Sequence, residues 1–231
     1  MSNLNKFDEF LKKIDLQKYR SKYRSIKLVE MDLPKDIQAI KLLYKIYWSE
    51  KEFIDFDNFL KRYIKEYKIN IDNFRAKIGM CEVCFYKGLP ARIYRTWASL
   101  ITQIHAGYVA ESVFGSGTIN MSEDLDHHGA DFQVTYKGNI INYQVKKKSF
   151  SREIRQAKKS GKIIHGEFID IKYEVPIDEI FNNPKTKKGE LRLPYKRFVD
   201  NKELKRLANG FIVFTAEAFL PKKREIDKQS K

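Results

Sequence analysis

The sequence predicts an α/β protein with a helical N-terminal lobe. Apolar residues recur every three or four positions through the first ~80 residues, a spacing typical of amphipathic helices. After residues 115–117 the spacing changes to alternating and then continuous apolar runs, which are typical of strands. A chain with both patterns in this order favours helices packed on a sheet.

The N-terminal lobe is expected over residues 1–90. Helical spacing indicates one helix from about Leu4 to Ile14 and an aromatic-rich helix over residues 53–67. Pro34 suits the first turn of a helix between them, because the proline ring already holds a helical φ. The Lys-Gly-Leu-Pro sequence at residues 87–90 predicts a break.

Residues 91–231 are expected to form the core. One apolar stripe predicts a long helix over residues 91–114, ended by the glycines at 115 and 117. Strands are expected at residues 130–136 and 140–145, joined by a turn at 137–139. The further expected elements are a helix at 149–159, a β-rich segment at 163–175, a basic helix at 195–207, a strand buried on both faces at 210–214 and a polar tail at 221–231.

Composition narrows the class of protein. The 231 residues include 45 Lys+Arg against 30 Asp+Glu, a net charge of +15, and 42% are hydrophobic. No apolar run approaches the ~18 residues of a membrane span, and no secretory signal is visible. Two cysteines exclude a disulfide framework, and Cys81 and Cys84 are too few for a four-ligand zinc site. We therefore expect a soluble cytoplasmic protein whose basic surface suits nucleic acid.

The positive charge is uneven along the chain. Residues 96–136 contain no Lys or Arg, whereas residues 144–162 contain eight Lys or Arg and one Glu. The carboxylates of the first stretch are Glu111, Glu123, Asp124, Asp126 and Asp131. Carboxylates inside a basic protein suit metal-dependent chemistry on phosphates, although a solvated loop beside a solvated helix gives the same pattern.

Three residues around the predicted hairpin carry the chemistry. Asp131 begins the first strand, and Gln144 and Lys146 lie two apart on the second, so their side chains share one face. An aspartate beside a lysine can bind Mg²⁺ and activate or position a water next to a phosphodiester. The lysine can stabilise charge on the phosphate or accept the proton of the water.

This arrangement resembles the PD-(D/E)xK nuclease superfamily, with Gln144 where an acid is usual. A neutral amide gives the metal no charge, so Gln144 is expected to support the site through hydrogen bonds. Another carboxylate should then compensate, and Glu111 and Asp126 are the candidates. The resemblance implies a nuclease core with a mixed central sheet flanked by helices.

A longer resemblance covers nearly the whole chain. The segments that carry it are residues 16–19, 22–27, 32–34, 91–96, 102–103, Leu125-Asp126-x-x-Gly129-x-Asp131, 144–147 and 209–214. Together they resemble the TaqI family of type II restriction endonucleases, in which glutamine in place of the acid is part of the pattern. The resemblance implies Mg²⁺-dependent cleavage of TCGA between T and C by a homodimer. It assigns catalysis to Asp126, Asp131 and Lys146, and implies a methyltransferase that protects the host DNA.

The basic residues near this segment are candidate contacts to double-stranded DNA. The candidates are Arg92, Arg95, Lys147, Lys148, Arg152 and Arg155. Such contacts position a duplex without reading its sequence, although arginine can also read guanine. Two other functions fit the same features: a structure-specific nuclease of the same superfamily, and a nucleic-acid-binding protein without catalysis.

Overall fold

The computed structural model describes residues 2–27, 29, 33–147 and 164–230. The chain divides into two compact units, one made of Met1–Ile104 with Leu207–Phe211 and the other of His105–Arg206 with Ile212–Lys231. Nine α-helices and six strands lie in the described ranges, so the predicted α/β class is confirmed. No described helix has the length and apolarity of a membrane crossing.

Helices dominate the first unit. They are α1 (Asn3–Lys13), α2 (Leu16–Tyr23), α3 (Ala39–Leu43), α4 (Phe56–Lys77) and the first part of α5 (Glu82–Phe114). Short polar side chains begin three of them: Ser2, Asp15 and Asp55 each accept a hydrogen bond from a backbone N–H one turn later.

Helix α5 begins earlier than the sequence predicts. It runs from Glu82 through Pro90, where a break was expected, so that prediction is wrong. A proline in a helix interior removes one backbone hydrogen bond. Phe85, Leu89 and Ile93 on either side of it are fully buried, and burial of these side chains outweighs that loss.

Aromatic residues form the centre of the first unit. Tyr19, Phe56, Tyr94 and Trp97 contact one another, with ring centroids 5.3–6.2 Å apart. The indole Nε1 of Trp97 donates to the hydroxyl of Tyr47 at 2.9 Å. The N-terminal helices are thus held by ring packing around satisfied polar groups.

A four-stranded mixed sheet dominates the second unit. The strands are β1 (Ile119–Asn120), β2 (Phe132–Tyr136), β3 (Asn139–Lys147) and β4 (Glu167–Tyr173), in the spatial order β1-β2-β3-β4. The first three strands pair antiparallel, and β4 pairs parallel to β3. The predicted hairpin is confirmed: Lys137 and Gly138 both adopt positive φ, which matches the twist of a two-residue turn.

The remaining elements of the second unit are short. They are α6 (Glu123–His127), α7 (Asp178–Asn182), α8 (Leu193–Asp200), β5 (Leu204–Arg206), β6 (Ile212–Phe214) and α9 (Leu220–Gln229). Two predictions are wrong here. The expected basic helix ends at Asp200 and is followed by β5, and the expected polar tail is α9, whose Ile226 is buried.

The run at residues 210–214 also differs from expectation. Only Ile212–Phe214 form a strand, and it pairs with β5 in a separate two-stranded sheet instead of lying in the centre of the large one. Apolar runs report burial, and burial alone does not specify the neighbouring strand. The helix predicted at 149–159 lies outside the described residues.

Candidate active site

The sheet has one apolar and one polar face. Cross-strand pairs such as Phe132 with Tyr143 and Val145 with Ile171 are buried on the apolar face. The alternate positions of β3 and β4 form the polar face, where the side chains other than the buried Asn142 are exposed or half-buried. Alternation along the strands therefore places every second residue of these strands on the face that carries the candidate site.

Asp131 lies at the edge of this face, just before β2. Gly129 with φ +86° turns the chain out of α6 and towards the sheet, a conformation that favours glycine. The backbone N–H of Asp131 then donates to the carbonyl of Tyr143 at 2.8 Å. Its carboxylate Oδ2 accepts from the N–H of Val145 at 2.5 Å. Asp131 is thereby fixed against β3 with 5% of its surface exposed.

Gln144 and Lys146 occupy the polar face of β3, as the sequence predicts. Gln144 is half-buried and Lys146 is exposed. The register that pairs Phe132 with Tyr143 places Asp131 opposite Gln144 when it is continued by one residue. The three predicted residues therefore share one patch of the sheet.

The electrostatic setting of Asp131 is unusual for an aspartate. Burial raises its pKa to about 7, and the charges of Asp126 and Asp170 act in the same direction. The hydrogen bond from Val145 and the charge of Lys146 oppose the shift but do not cancel it. A carboxylate with these neighbours favours either a proton or a cation.

Asp126 supplies a second carboxylate near Asp131. It lies on α6, which Ser122 begins by accepting the N–H of Leu125 at 3.3 Å. Burial raises the pKa of Asp126, Glu123 adds to the increase, and His127 acts against it. The negative charge of Asp126 raises the pKa of Asp131, as expected for two like charges close together.

Asp126 and Asp131 offer carboxylate oxygens, the donor type that hard divalent cations prefer. Among the described residues, no group of three or more His, Cys, Asp or Glu side chains is close enough to hold a metal ion. Mg²⁺ keeps several waters and needs only one or two carboxylates together with substrate phosphate oxygens. Asp126 and Asp131 meet that requirement by number and by charge.

Glu111, the other predicted metal carboxylate, lies near the end of α5. Its Oε1 accepts a hydrogen bond from the backbone N–H of Gly117 at 3.3 Å. Burial, together with the charge of Glu111, raises the pKa of Tyr108, whereas the charges that act on the pKa of Asp131 include those of Asp126, Lys146 and Asp170. The side chain thus supports the turn after the helix.

The residues predicted to contact DNA differ in their hydrogen bonding and exposure. Arg92 donates to the hydroxyl of Thr96 at 3.0 Å, and Arg95 donates to the carbonyl of Ile26 at 2.8 Å. Lys147 is exposed on β3. The other three candidates, Lys148, Arg152 and Arg155, lie outside the described residues.

Comparison with known proteins identifies the family. A family model for the TaqI restriction endonuclease matches residues 4–226. The chain belongs to the TaqI restriction endonuclease family. It is 30% identical over 219 residues to the type II restriction enzyme TthHB8I of Thermus thermophilus, covering 91% of this chain and 83% of that enzyme. It is 30% identical over 222 residues to the type II restriction enzyme TaqI of Thermus aquaticus, with the same shares.

The family match confirms the resemblance and the class of enzyme predicted from the sequence, a type II restriction endonuclease. No solved structure matches the chain. The structure itself establishes the mixed α/β architecture of this family member.

One polar-face residue escaped the sequence reasoning. Asp170 of β4 pairs in register with Gln144, and its Oδ2 lies 3.0 Å from the Nζ of Lys146. The signal was an acid inside the β-rich segment at residues 163–175. The sequence did not show which strand this segment pairs with, because a parallel strand that follows a long connection cannot be aligned from spacing alone.

Proposed function

We propose that this protein hydrolyses the phosphodiester bonds of double-stranded DNA at a short palindrome, TCGA cut between T and C, in the presence of Mg²⁺. The observation that carries this proposal is the placement of Asp131 and Lys146 on one patch of the sheet, in a chain of the TaqI restriction endonuclease family. A palindrome has two-fold symmetry, so a homodimer would present one such site to each strand.

Asp131 and Asp126 are the residues proposed to hold the metal, and Glu111 is the reserve candidate. Bound Mg²⁺ would lower the pKa of a water and neutralise charge on the phosphate. Burial of Asp131 supports this role, because a cation relieves the cost of a buried negative charge. Gln144 lies opposite Asp131 in the continued register, where its amide can hydrogen-bond the water or the carboxylate.

Lys146 supplies the positive charge of the proposed site. Its ammonium is exposed on the polar face and influences the charge of Asp131. At the scissile phosphate it would stabilise the charge that develops on the oxygens, or accept the proton of the attacking water. Lys147 follows on the opposite face, so it suits contact with the DNA backbone rather than catalysis.

The proposal also covers the organisation of the chain. Residues 91–231 would form a PD-(D/E)xK catalytic core, and residues 1–90 the N-terminal lobe. DNA contacts would come from Arg92, Arg95, Lys147, Lys148, Arg152 and Arg155. An enzyme of this kind would act in the cytoplasm beside a methyltransferase that protects host TCGA sites.

Digestion of a defined plasmid tests the proposal. The purified chain is incubated with a plasmid that carries a few TCGA sites, with Mg²⁺ and with EDTA, and the cut ends are sequenced. We expect discrete fragments only with Mg²⁺, all ending between T and C. The matched control is the same plasmid with each TCGA changed to TCCA, which should stay intact.

Other outcomes select the alternatives. Cleavage of branched but not linear DNA would indicate a structure-specific nuclease of the same superfamily. A salt-sensitive gel shift without cleavage would indicate a DNA-binding protein. Fragments at another sequence would retain the endonuclease and reject TCGA.

A further inference from the structure

The entry into β4 fixes that strand beside β3. Gly166 has φ +117°, and a Cβ added there would lie 2.6 Å from the carbonyl oxygen of Ile140. Only glycine allows this approach of the two backbones. Asn142, buried on β3, adds a hydrogen bond from its side chain to the carbonyl of His165 at 3.0 Å. The parallel register of the two strands is therefore held at its start.

The register brings a carboxylate beside the glutamine that replaces the usual acid. Gln144 pairs with Asp170, and Lys146 pairs with Lys172, so all four side chains belong to the polar face. When the pairing of β2 with β3 is continued by one residue beyond Phe132, Asp131 lies opposite Gln144. Asp131, Gln144 and Asp170 then form one row across β3 and its two neighbours, with Asp131 just before β2. The negative charge missing from β3 is thus present on the neighbouring strand.

Lys146, two residues after Gln144 on the same face, contacts one carboxylate of this row. Its Nζ is 3.0 Å from Oδ2 of Asp170 and donates to it, and its charge also lowers the pKa of the buried Asp131 against the effect of burial. Lysine is a flexible point charge, so a fixed partner is needed to hold its ammonium in one place. Both Lys146 and Asp170 are exposed, and an exposed ion pair contributes little to folding stability.

We propose that Asp170 is a positioning residue of the active site, which fixes the ammonium of Lys146 on the polar face of the sheet and supplies the charge that Gln144 lacks. This inference rests on the proposed function, because it assigns Lys146 to the cleavage step. The neighbouring strand thereby supplies a carboxylate next to Lys146, at the register position of the glutamine.

The test compares Asp170→Asn, Asp170→Glu and Glu167→Gln. Glu167 is the matched control, since it is an exposed acid of the same strand that forms an ion pair with Lys222 at 2.7 Å. The first measurement is the single-turnover cleavage rate with saturating enzyme, together with the Kd for DNA in Ca²⁺. The second is the rate at which an amine-acylating reagent labels Lys146 in metal-free, DNA-free protein, followed by mass spectrometry.

We expect Asp170→Asn to slow cleavage by roughly 10- to 100-fold, as loss of a supporting residue does, with the Kd for DNA changed less than about threefold. Labelling of Lys146 should become several-fold faster, because its ammonium loses a hydrogen-bond partner. Asp170→Glu should restore part of the cleavage rate, and Glu167→Gln should match the wild type in both measurements.

Cleavage by Asp170→Asn at the wild-type rate would overturn the proposal, as would an equal loss in Glu167→Gln. Unchanged labelling of Lys146 in Asp170→Asn would also overturn it. If the wild type cuts no DNA, the proposed function and the positioning role of Asp170 in cleavage both fall, and the labelling then decides only the pairing with Lys146. The two failures are therefore distinguishable.

Discussion

The aromatic centre of the first unit and the polar face of the sheet use burial in opposite ways. Around Trp97, burial removes large rings from water, and the one polar atom of the indole finds the hydroxyl of Tyr47. At Asp131, burial encloses a carboxylate and raises its pKa to about 7. The first arrangement stabilises the fold, whereas the second costs stability when the carboxylate is ionised.

This difference separates residues that fold the chain from residues proposed to act on DNA. Sites that bind cations or react are often held in states that the fold alone would not favour. Truncation in the aromatic centre should then lower the free energy of unfolding and leave the cleavage rate unchanged. Substitution of Asp131 should instead remove cleavage and leave the free energy of unfolding unchanged or higher. Three experiments can break that division.

The largest expected effect is on cleavage by Asp131→Asn. The amide keeps the size of the side chain but cannot bring a negative charge to Mg²⁺, so cleavage should fall by at least about 1,000-fold, or about 4 kcal/mol. The free energy of unfolding at pH 8 should be unchanged or higher, since the buried charge is gone. Plasmid digestion and urea denaturation measure the two quantities.

Binding of DNA in Ca²⁺ serves as the control for Asp131→Asn and should persist. A variant that cuts DNA at the wild-type rate would remove Asp131 from the site. A variant that unfolds at pH 8 would instead show that the carboxylate is structural, and the contrast with the aromatic centre would disappear.

Trp97→Ala should give the next largest effect, and on stability. Trp97 is fully buried among Tyr19, Phe56 and Tyr94, so truncation leaves a cavity and costs about 3–5 kcal/mol. Urea denaturation monitored by circular dichroism measures the loss. Trp97→Phe, which keeps a ring but removes the donor to Tyr47, should cost less.

Cleavage by Trp97→Ala is informative at low temperature, where the variant remains folded. The rate per folded molecule should equal that of the wild type, because no part of the proposed chemistry uses the indole. Loss of cleavage without unfolding would show that the aromatic centre also shapes the site.

Sequence patterns predicted the local elements better than their partners. The hairpin of β2 and β3 followed from alternation and from a turn with glycine, and its residues are close in sequence. The continuation of α5 through Pro90 did not follow, since the packing that maintains the helix comes from distant residues. The sheet of β5 and β6 was missed although its strands are close in sequence, because the residues of β5 were assigned to the basic helix expected at 195–207.

In the candidate site, too, the residues that are close in sequence were predicted and the distant one was not. Asp131, Gln144 and Lys146 were predicted together because one hairpin carries them. Asp170 was missed because its place depends on a parallel pairing across a long connection, and on the approach that Gly166 permits. No spacing in the sequence encodes that pairing.

The smallest of the three expected effects is the pH dependence of stability without metal. The pKa of Asp131 is about 7 in the folded chain, against the ordinary aspartate value of 3.8 that the unfolded chain should approach. Between these values the folded chain holds a proton that the unfolded chain has lost, so the free energy of unfolding falls as pH rises. From pH 5 to pH 7 the contribution of this one group is about 2 kcal/mol, and it levels off above pH 7.

Other groups titrate over the same range, so the measured quantity is the difference in free energy of unfolding between the wild type and Asp131→Asn at each pH. In EDTA, the wild type should lose about 2 kcal/mol more than the variant between pH 5 and pH 7. Addition of Mg²⁺ at pH 8 should stabilise the wild type and not the variant, because only an ionised carboxylate holds the ion. If the free energy of unfolding in EDTA depends on pH in the same way for both proteins, the carboxylate of Asp131 is ionised at little cost. Burial would then not destabilise the polar face, and the contrast with the aromatic centre would disappear.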